Sequence, residues 1–342
     1  MENNKKNTIE KSSFWIKYQG VLLPALLAVP AWLLGNALPV VGSPVFGIVL
    51  GMLLAFWKRP DRLNEGIRFT SKKLLQAAIV LLGFSMNLRN ILQVGSQTLV
   101  LMLITISVTL TLAVLAGKFL KIGGKTATLI GVGTAICGGS AIAATAPVID
   151  ADSEEVAQAI STIFLFNVIA ALVFPTIGRL LAMSDFTFGI WAGTAVNDTS
   201  SVVAAGYSFS NAAGDLAVIV KLTRTLMIIP ISLILAFLTS RQTAGSQTGG
   251  KVSLVKIFPW FVLGFLAAAL LTTGLALPAT ITSFLAQSGK FLIVMAMAAI
   301  GLNTHLPKLI RSGGRPVLLG LICWIALSII SLITQAQLFS PS

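Results

Sequence analysis

Charged residues are scarce in this chain. Lys, Arg, Asp and Glu make up 10% of its 342 residues, whereas hydrophobic residues make up 56% and the mean hydropathy is +0.91. The chain has one histidine, His305, and two cysteines, Cys137 and Cys323, which lie far apart within apolar stretches. A soluble domain of this length needs more surface charge, and zinc sites or disulfide frameworks need more His and Cys. The sequence therefore predicts an integral membrane protein with neither kind of site.

Patterns typical of enzymes and nucleic-acid-binding proteins are also missing. The apolar segments hold no Ser–His or Asp–Asp pair, no HExxH sequence and no phosphate-binding loop, so no enzymatic activity is expected. The net charge is +13, but Lys and Arg fall in the short gaps between apolar segments and form no basic stripe with interleaved aromatics. This pattern does not predict binding to nucleic acid.

Apolar segments of about 18 to 25 residues recur along the chain, and each is long enough to cross the hydrocarbon as a helix. Period-two alternation is missing, so the predicted fold is an all-α polytopic bundle of about eleven spans. We interpret 1–342 as one transmembrane transporter domain, with a cytoplasmic N-terminal tail at 1–18 and a cytoplasmic linker at 240–251. The predicted spans are 19–38, 42–57, 73–92, 97–119, 125–149, 156–182, 186–208, 215–239, 254–277, 287–304 and 315–336.

Basic residues are concentrated in alternate gaps. Lys and Arg cluster at 5–17, 58–73 and 118–125, and again at 241–256 and 308–315, whereas the gap at 150–155 is acidic. Since cytoplasmic loops carry excess Lys and Arg, we predict a multi-pass protein of a bacterial inner (plasma) membrane, with a cytoplasmic N-terminus and an external C-terminus.

One internal similarity predicts an inverted repeat. The sequence GFSMNL at 83–88 matches GLNTHL at 301–306, and Gly95 and Gly313 follow at the same offset. The two segments lie on spans that would run in opposite directions. Inverted repeats of this kind are typical of secondary carriers.

A second similarity pairs GTAICGGSAIAA at 133–144 with GTAVNDTSSVVA at 193–204. Both place small and polar residues in the middle of an apolar segment, where an unwound backbone would have to be satisfied by protein, water or a ligand. We interpret them as interrupted helices that line a solute site; packing faces between ordinary helices are the alternative. Crossing helices are favoured over re-entrant hairpins. If both segments were hairpins, the alternation of basic gaps would change only in the stretch between the two segments. The hairpins would then enter the membrane from opposite faces.

Asp198 is the one carboxylate within an apolar span, which predicts a functional role. With Asn197, Thr199 and exposed carbonyls it could load a proton or bind Na⁺, or it could form a structural ion pair with Lys221 or Arg224. The two cations, three residues apart on one helical face, would either attract an anionic substrate or extend to the external surface.

The remaining predicted binding residues lie in the interrupted segments. Substrate would contact Ser140, Thr199, Ser200 and main-chain amides, and Cys137 would be a small neutral lining residue. Other polar residues have structural interpretations: Asn87, Asn167 and Asn303 as links between helices, His305 as an interface residue, and Asp152 with Glu155 as a capping box. The predicted substrate- or ion-binding set is Cys137, Gly138, Gly139, Ser140, Asn197, Asp198, Thr199, Ser200, Lys221 and Arg224.

Three stretches carry a family resemblance: LLGFSMNL within 72–92, GTAICGGSAIAATAPVI at 133–149 and GTAVNDTSSVVAAG at 193–206. They resemble the YeiH-type family of bacterial membrane proteins described as sulfate exporters, which is similar in turn to the superfamily of bile-acid and auxin carriers. The resemblance implies a carrier with a panel and a core domain and two broken helices near the midplane.

We therefore expect a secondary active transporter that moves a small sulfate- or sulfonate-like anion, coupled to H⁺ or Na⁺. A cation/proton antiporter and a passive anion channel are the alternatives. The expected partners are the anionic solute and the lipid bilayer, and exposed small-residue faces would allow a homodimer. No cofactor is expected beyond Na⁺ as one candidate coupling ion.

Overall fold

A computed structural model describes residues 2–38, 41–57, 59–242, 259–275, 277–304 and 314–339, and every regular element in these ranges is helical. This confirms the all-α class for the described part of the chain. His305 and most of the predicted linker lie outside the described residues. The helices are α1 (Glu2–Ala37), α2 (Ser43–Leu54), α3 (Arg62–Phe69), α4 (Leu75–Gly83), α5 (Leu88–Phe119), α6 (Gly124–Ala135), α7 (Gly139–Thr145), α8 (Ser153–Leu180), α9 (Asp185–Ala195), α10 (Thr199–Phe209), α11 (Asn211–Leu226), α12 (Ile228–Gln242), α13 (Trp260–Leu275), α14 (Ala279–Asn303) and α15 (Gly314–Leu338).

Among the described residues, six helical stretches are long and apolar enough to cross a membrane, and two shorter apolar helices, α2 and α13, accompany them. Large apolar side chains are exposed along them: on α5, Val100, Leu103 and Leu115 are 52%, 57% and 60% exposed. Rows of exposed Leu and Val on long helices are typical of a lipid-facing surface. The chain is therefore a multi-pass membrane protein, although the expected eleven spans are not reproduced. The six stretches are Gln19–Ala37, Leu88–Phe119, Ser153–Leu180, Asn211–Leu235, Ala279–Asn303 and Gly314–Leu338.

The boundary between the third and fourth predicted spans is wrong. A π-helical turn, Thr70–Leu74, joins α3 to α4, so helical structure runs from Arg62 to Gly83 and α5 already begins at Leu88. The break falls at 84–87 because the N–H groups of Phe84 and Ser85 donate to carbonyls three residues back, at 3.2 and 3.0 Å. The Ser85 hydroxyl donates to the same Leu82 carbonyl at 2.8 Å. Hydrogen bonds to the carbonyl three residues back tighten the last turn of a helix and end it.

One compact unit comprises residues 1–88 and 261–305. In it, α14 packs against α2 and α4. A Cβ atom at Gly51 of α2 would lie 2.3 Å from the Ala298 carbonyl oxygen, and one at Gly301 of α14 would lie 2.3 Å from the Ile48 carbonyl oxygen. Only glycine permits this approach of two backbones. Gly83 is similarly close to the Phe265 carbonyl of α13, at 2.5 Å, so both glycines of the GFSMNL and GLNTHL motifs are helix contact points.

The second compact unit comprises residues 89–260 and 306–342 and contains both interrupted segments. The first segment breaks as predicted, between α6 and α7, but it then folds back. The Lys125 ammonium, at the start of α6, donates to the carbonyl of Asp150, which follows α7. Midway along, a Cβ atom at Gly133 would lie 2.9 Å from Cδ1 of Ile142. A helix that continued across a membrane would place residues 125 and 150 about 37 Å apart, so α6 and α7 form a helical hairpin.

The segment 186–208 forms a second hairpin, from α9 and α10. The Ser210 hydroxyl donates to the Asp185 carboxylate at 2.6 Å, which joins the two ends of the segment. The rings of Phe188 and Phe209 stack with centroids 4.0 Å apart and planes within 10°. The preference for crossing helices is therefore wrong for both segments, because the two arms of each lie side by side.

Two further helices of this unit hold the hairpins. The α8 helix starts with the predicted capping box: Asp152 accepts from the N–H groups of Glu154 and Glu155, and the Glu155 carboxylate accepts from the Asp152 N–H. It packs against α6, α7 and α10, while α11 packs against α9 and α10. A Cβ atom at Gly193 would lie 2.7 Å from Cβ of Val220 on α11. The small residues of the second segment therefore also serve close helix packing, as the alternative interpretation held.

Candidate functional site

The first hairpin turns at Ile136–Gly138, which we call the first tip. Gly138 has φ +67° and ψ −130°, a conformation that residues with a side chain rarely adopt. Its N–H donates to the Gly133 carbonyl at 2.8 Å, which closes the end of α6. The carbonyls of Thr134, Ala135 and Ile136 lie in the last turn of α6 and at its cap, where a helix has no N–H partner for them.

The second hairpin turns at Val196–Asp198, the second tip. Asp198 is the N-cap of α10, and its Oδ2 accepts from the Ser200 N–H at 3.0 Å and from the Ser200 hydroxyl. The carboxylate thus stabilises the start of α10, as capping aspartates do. Asp198 and Thr199 are partly exposed, whereas Asn197 and Ser200 are buried.

The two tips lie against each other. A Cβ atom at Gly138 would lie 3.4 Å from Cβ of Asp198 and 3.5 Å from Nδ2 of Asn167. Asn167 is buried on α8, and its Oδ1 accepts a hydrogen bond of 3.2 Å from the Asp198 N–H. The sequence predicts a link between helices for Asn167, and the structure places it where the two tips meet. In the sequence, the indication of a role for Asn167 at the tips is its polar amide within the apolar run of α8.

Lys221 and Arg224 lie on α11 and are both 0% exposed. The Lys221 ammonium donates to the carbonyl of Ile136 at 2.8 Å and to that of Val196 at 3.0 Å, so it joins the two tips. The Arg224 Nε donates to the Ala135 carbonyl at 2.7 Å. The two cations therefore sit at the C-terminal ends of α6 and α9, where the helix dipole favours positive charge. Their complete burial rules out extension to the external surface, and the hydrogen bonds shown for both go to carbonyls rather than to Asp198.

Two buried side chains at the tips, Asn197 and Arg224, have polar atoms without a hydrogen-bond partner. Asn197 is 1% exposed, and neither its Nδ2 nor its Oδ1 is bonded; Nη1 of Arg224 is likewise unbonded. Buried polar atoms are almost always paired, and an unpaired one costs about 1–3 kcal/mol. These atoms are available to hydrogen-bond a ligand or an ordered water.

The other predicted site residues lie around these groups. Cys137 of the first tip is buried, at 2% exposure. Ser140 is exposed on the first turn of α7, and a Cβ atom at Gly139 would meet nothing within 4 Å. Thr199, at the start of α10, is partly exposed. The sequence predicts that the Ser200 hydroxyl contacts the substrate. In the structure this hydroxyl donates a hydrogen bond to Asp198 instead.

The charges of the cluster favour an anion. Lys221 and Arg224 contribute two positive charges and Asp198 one negative charge, which leaves an excess of one positive charge when all three are ionised. The cations are desolvated, so their attraction for an anion is stronger than at a surface. Among the described residues, no group of three His, Cys, Asp or Glu side chains is arranged to bind a metal ion.

Residues 19–320 match the model of a protein family described as "Conserved hypothetical protein 698". The chain belongs to this family. It is 53% identical to UPF0324 membrane protein M6_Spy0799 of Streptococcus pyogenes serotype M6, over 94% of this chain and 97% of that protein. It is 50% identical to UPF0324 membrane protein SAG1125 of Streptococcus agalactiae serotype V, over 94% and 98%.

A relative from another bacterial genus is similar to nearly the same extent. UPF0324 membrane protein FN0533 of Fusobacterium nucleatum is 49% identical, over 92% of this chain and 96% of that protein. These names agree with the assignment of this chain as a membrane protein. The narrower expectation from the sequence, a YeiH-type exporter related to bile-acid carriers, stays a prediction.

Proposed function

We propose that this protein is a secondary active transporter that binds a small anion where the two hairpin tips meet and moves it across the membrane. The observation that carries the proposal is that two buried side chains at the tips, Asn197 and Arg224, keep polar atoms without a hydrogen-bond partner. A sulfate- or sulfonate-like anion would supply acceptor oxygens to Arg224 Nη1 and Asn197 Nδ2. Water or a donor group on the solute would donate a hydrogen bond to Oδ1 of Asn197.

In the proposed mechanism, each hairpin opens the site to one side of the membrane. The α8 helix between them is long and apolar enough to cross the membrane once. The base of the first hairpin, at Lys125 and Asp150, and the base of the second, at Asp185 and Ser210, would then lie at opposite faces. Broken helical segments at membrane depth that line a solute site are typical of alternating-access carriers with inverted repeats. The basic gaps favour a bacterial inner membrane with a cytoplasmic N-terminus.

Coupling to H⁺ or Na⁺ is assigned to Asp198. Its carboxylate caps α10 and lies at the second tip, so loading a cation on it would change both the charge of the site and the start of α10. With the carboxylate neutralised, the two buried cations would attract an anion without opposition. Coupling therefore follows from the charge balance of three residues.

Reconstituted protein tests the proposal. Proteoliposomes would be assayed for uptake and counterflow of radiolabelled sulfate and of a small alkyl sulfonate, with protein-free liposomes as the control. A carrier shows saturable counterflow and accumulates solute against its gradient when the driving cation is supplied. Asp198→Asn should alter the cation dependence of uptake; unchanged uptake and unchanged pH and Na⁺ dependence would overturn the coupling role.

The same vesicles separate the alternatives. A passive anion channel would equilibrate sulfate without counterflow or accumulation. A cation/proton antiporter would move protons in response to a Na⁺ gradient with no added anion. Either result would contradict the carrier proposal and favour the corresponding alternative.

A further inference from the structure

Lys221 occupies an unusual position for a lysine side chain. It is 0% exposed and bonds two main-chain carbonyls, Ile136 at 2.8 Å and Val196 at 3.0 Å, which belong to different hairpins. Neither carbonyl lies within a helix: Ile136 follows the last residue of α6, and Val196 follows the last residue of α9. Unwound carbonyls and half-helix C-terminal ends are the groups that coordinate Na⁺ in carriers with interrupted helices.

The neighbouring carbonyls of the first hairpin are also taken by a cationic side chain. Arg224 donates through Nε to Ala135 at 2.7 Å and through Nη2 to Thr134 at 3.4 Å. All three carbonyls at the end of α6, from Thr134 to Ile136, therefore accept hydrogen bonds from fixed cations of α11. A metal ion at this place would have to displace a buried basic side chain that already donates hydrogen bonds to these carbonyls.

We propose that Lys221 is a built-in cation that replaces Na⁺ at the junction of the two tips, so that transport by this protein does not require Na⁺. The inference rests on the proposed function and narrows its coupling ion. The ammonium supplies the positive charge that the two C-terminal helix ends need, and it does so without a cation from solution. It also joins the hairpins, so the tips stay connected when the anion site is empty.

The first test uses the wild-type protein and needs no variant. Thermal unfolding in detergent and sulfate counterflow in proteoliposomes are measured in Na⁺ and in choline at equal ionic strength. The proposal expects the same unfolding temperature and the same counterflow in both salts. A higher unfolding temperature in Na⁺, or counterflow lost in choline, would overturn it, because a ligand that binds the folded state raises its apparent stability.

The second test asks whether removing the ammonium creates a cation site. Lys221→Ala leaves the Ile136 and Val196 carbonyls unpaired, so this variant should unfold at a lower temperature than wild type, and Na⁺ should raise that temperature while choline does not. Lys221→Arg keeps the fixed charge and should remain insensitive to Na⁺. Thr223→Ala is the matched control, since Thr223 bonds only the Ile219 carbonyl of its own helix, at 3.0 Å.

The outcomes separate this inference from the proposed function. Na⁺-dependent counterflow of sulfate would disprove the role of Lys221 and leave the anion carrier standing. Absence of anion movement in every salt would disprove the carrier, while the unfolding measurements would still decide the role of Lys221. If Lys221→Ala does not fold, the salt comparison of wild type and Lys221→Arg is decisive, and a Na⁺ response in either overturns the proposal.

Discussion

Gly138 of the first hairpin lies directly against Asp198 of the second: a Cβ atom added at Gly138 would stand 3.4 Å from Cβ of Asp198. The contact joins two chain segments that are sixty residues apart in sequence. It places the positive-φ turn of one hairpin beside the cap of the other. The candidate site exists only because both tips reach this point, so changes at the tips should affect stability and transport in distinguishable ways.

Gly138→Ala should destabilise the protein. Gly138 has φ +67°, and a side chain there would also contact the second tip, so we expect a loss of about 1–3 kcal/mol and a lower unfolding temperature. Gly139→Ala is the matched control: its Cβ atom would meet nothing within 4 Å, and replacing glycine at a position whose backbone suits alanine gains about 0.4–1 kcal/mol. Equal effects of the two substitutions on thermal unfolding would contradict the geometry of the first tip.

Asn197→Leu should stabilise the protein in the absence of anion while it abolishes sulfate counterflow. The substitution removes two buried atoms that have no partner, and replacing unsatisfied polar atoms by apolar ones of similar size costs little. Asn167→Leu should instead destabilise by about 1–3 kcal/mol, since it leaves the Asp198 N–H without its acceptor. Thermal unfolding checks both, and a loss of stability in Asn197→Leu as large as in Asn167→Leu would argue that the Asn197 amide is structurally paired.

Arg224→Lys should reduce sulfate uptake by about 10- to 100-fold, the equivalent of one charge-assisted hydrogen bond. Lysine keeps the charge and can reach a carbonyl of α6, but it lacks Nη1, the atom without a partner. Arg179→Lys serves as the comparison, because the Arg179 guanidinium donates to the Ser208 and Phe209 carbonyls at the end of α10. That variant should alter stability and leave the KM for sulfate unchanged, and a raised KM in both would indicate a general structural defect.

The hairpins predict which residues share a membrane face. Single cysteines at Lys125 and Asp150 should react with an impermeant maleimide from the same side of oriented vesicles. Cysteines at Ser184 and Ala212, both exposed at the base of the second hairpin, should react only from the other side. The native cysteines are buried and give a low background. Labelling of positions 125 and 150 from opposite sides would show that the first segment crosses the membrane.

The positions of the breaks were predictable from sequence, whereas their geometry was not. Adjacent glycines at 138 and 139 and the Asn197–Asp198 pair are unfavourable within an uninterrupted apolar helix, so the breaks could be located to within a few residues. A segment of about 25 apolar residues has the same composition whether it crosses or folds back. The contact of Lys125 with the Asp150 carbonyl is a tertiary one that leaves no local pattern.

The candidate site was predictable in part for a similar reason. Lys221, Arg224 and Asp198 stand out because charge is rare in apolar spans, yet their hydrogen-bond partners are main-chain atoms, which every residue possesses. The sequence therefore could not distinguish a cation that extends to the surface from one that is buried at a hairpin tip. The sequence predicts a link between helices for Asn167, but a single amide does not reveal that two tips converge on it.

A structure with a bound heavy oxyanion would test the central claim most directly. Crystals soaked in selenate, a sulfate analogue, would be measured at the selenium edge. We predict anomalous density whose oxygens lie about 2.7–3.2 Å from Arg224 Nη1 and Asn197 Nδ2. If the anion binds elsewhere, with these atoms bonded to other protein groups, the hairpin tips are not the anion site.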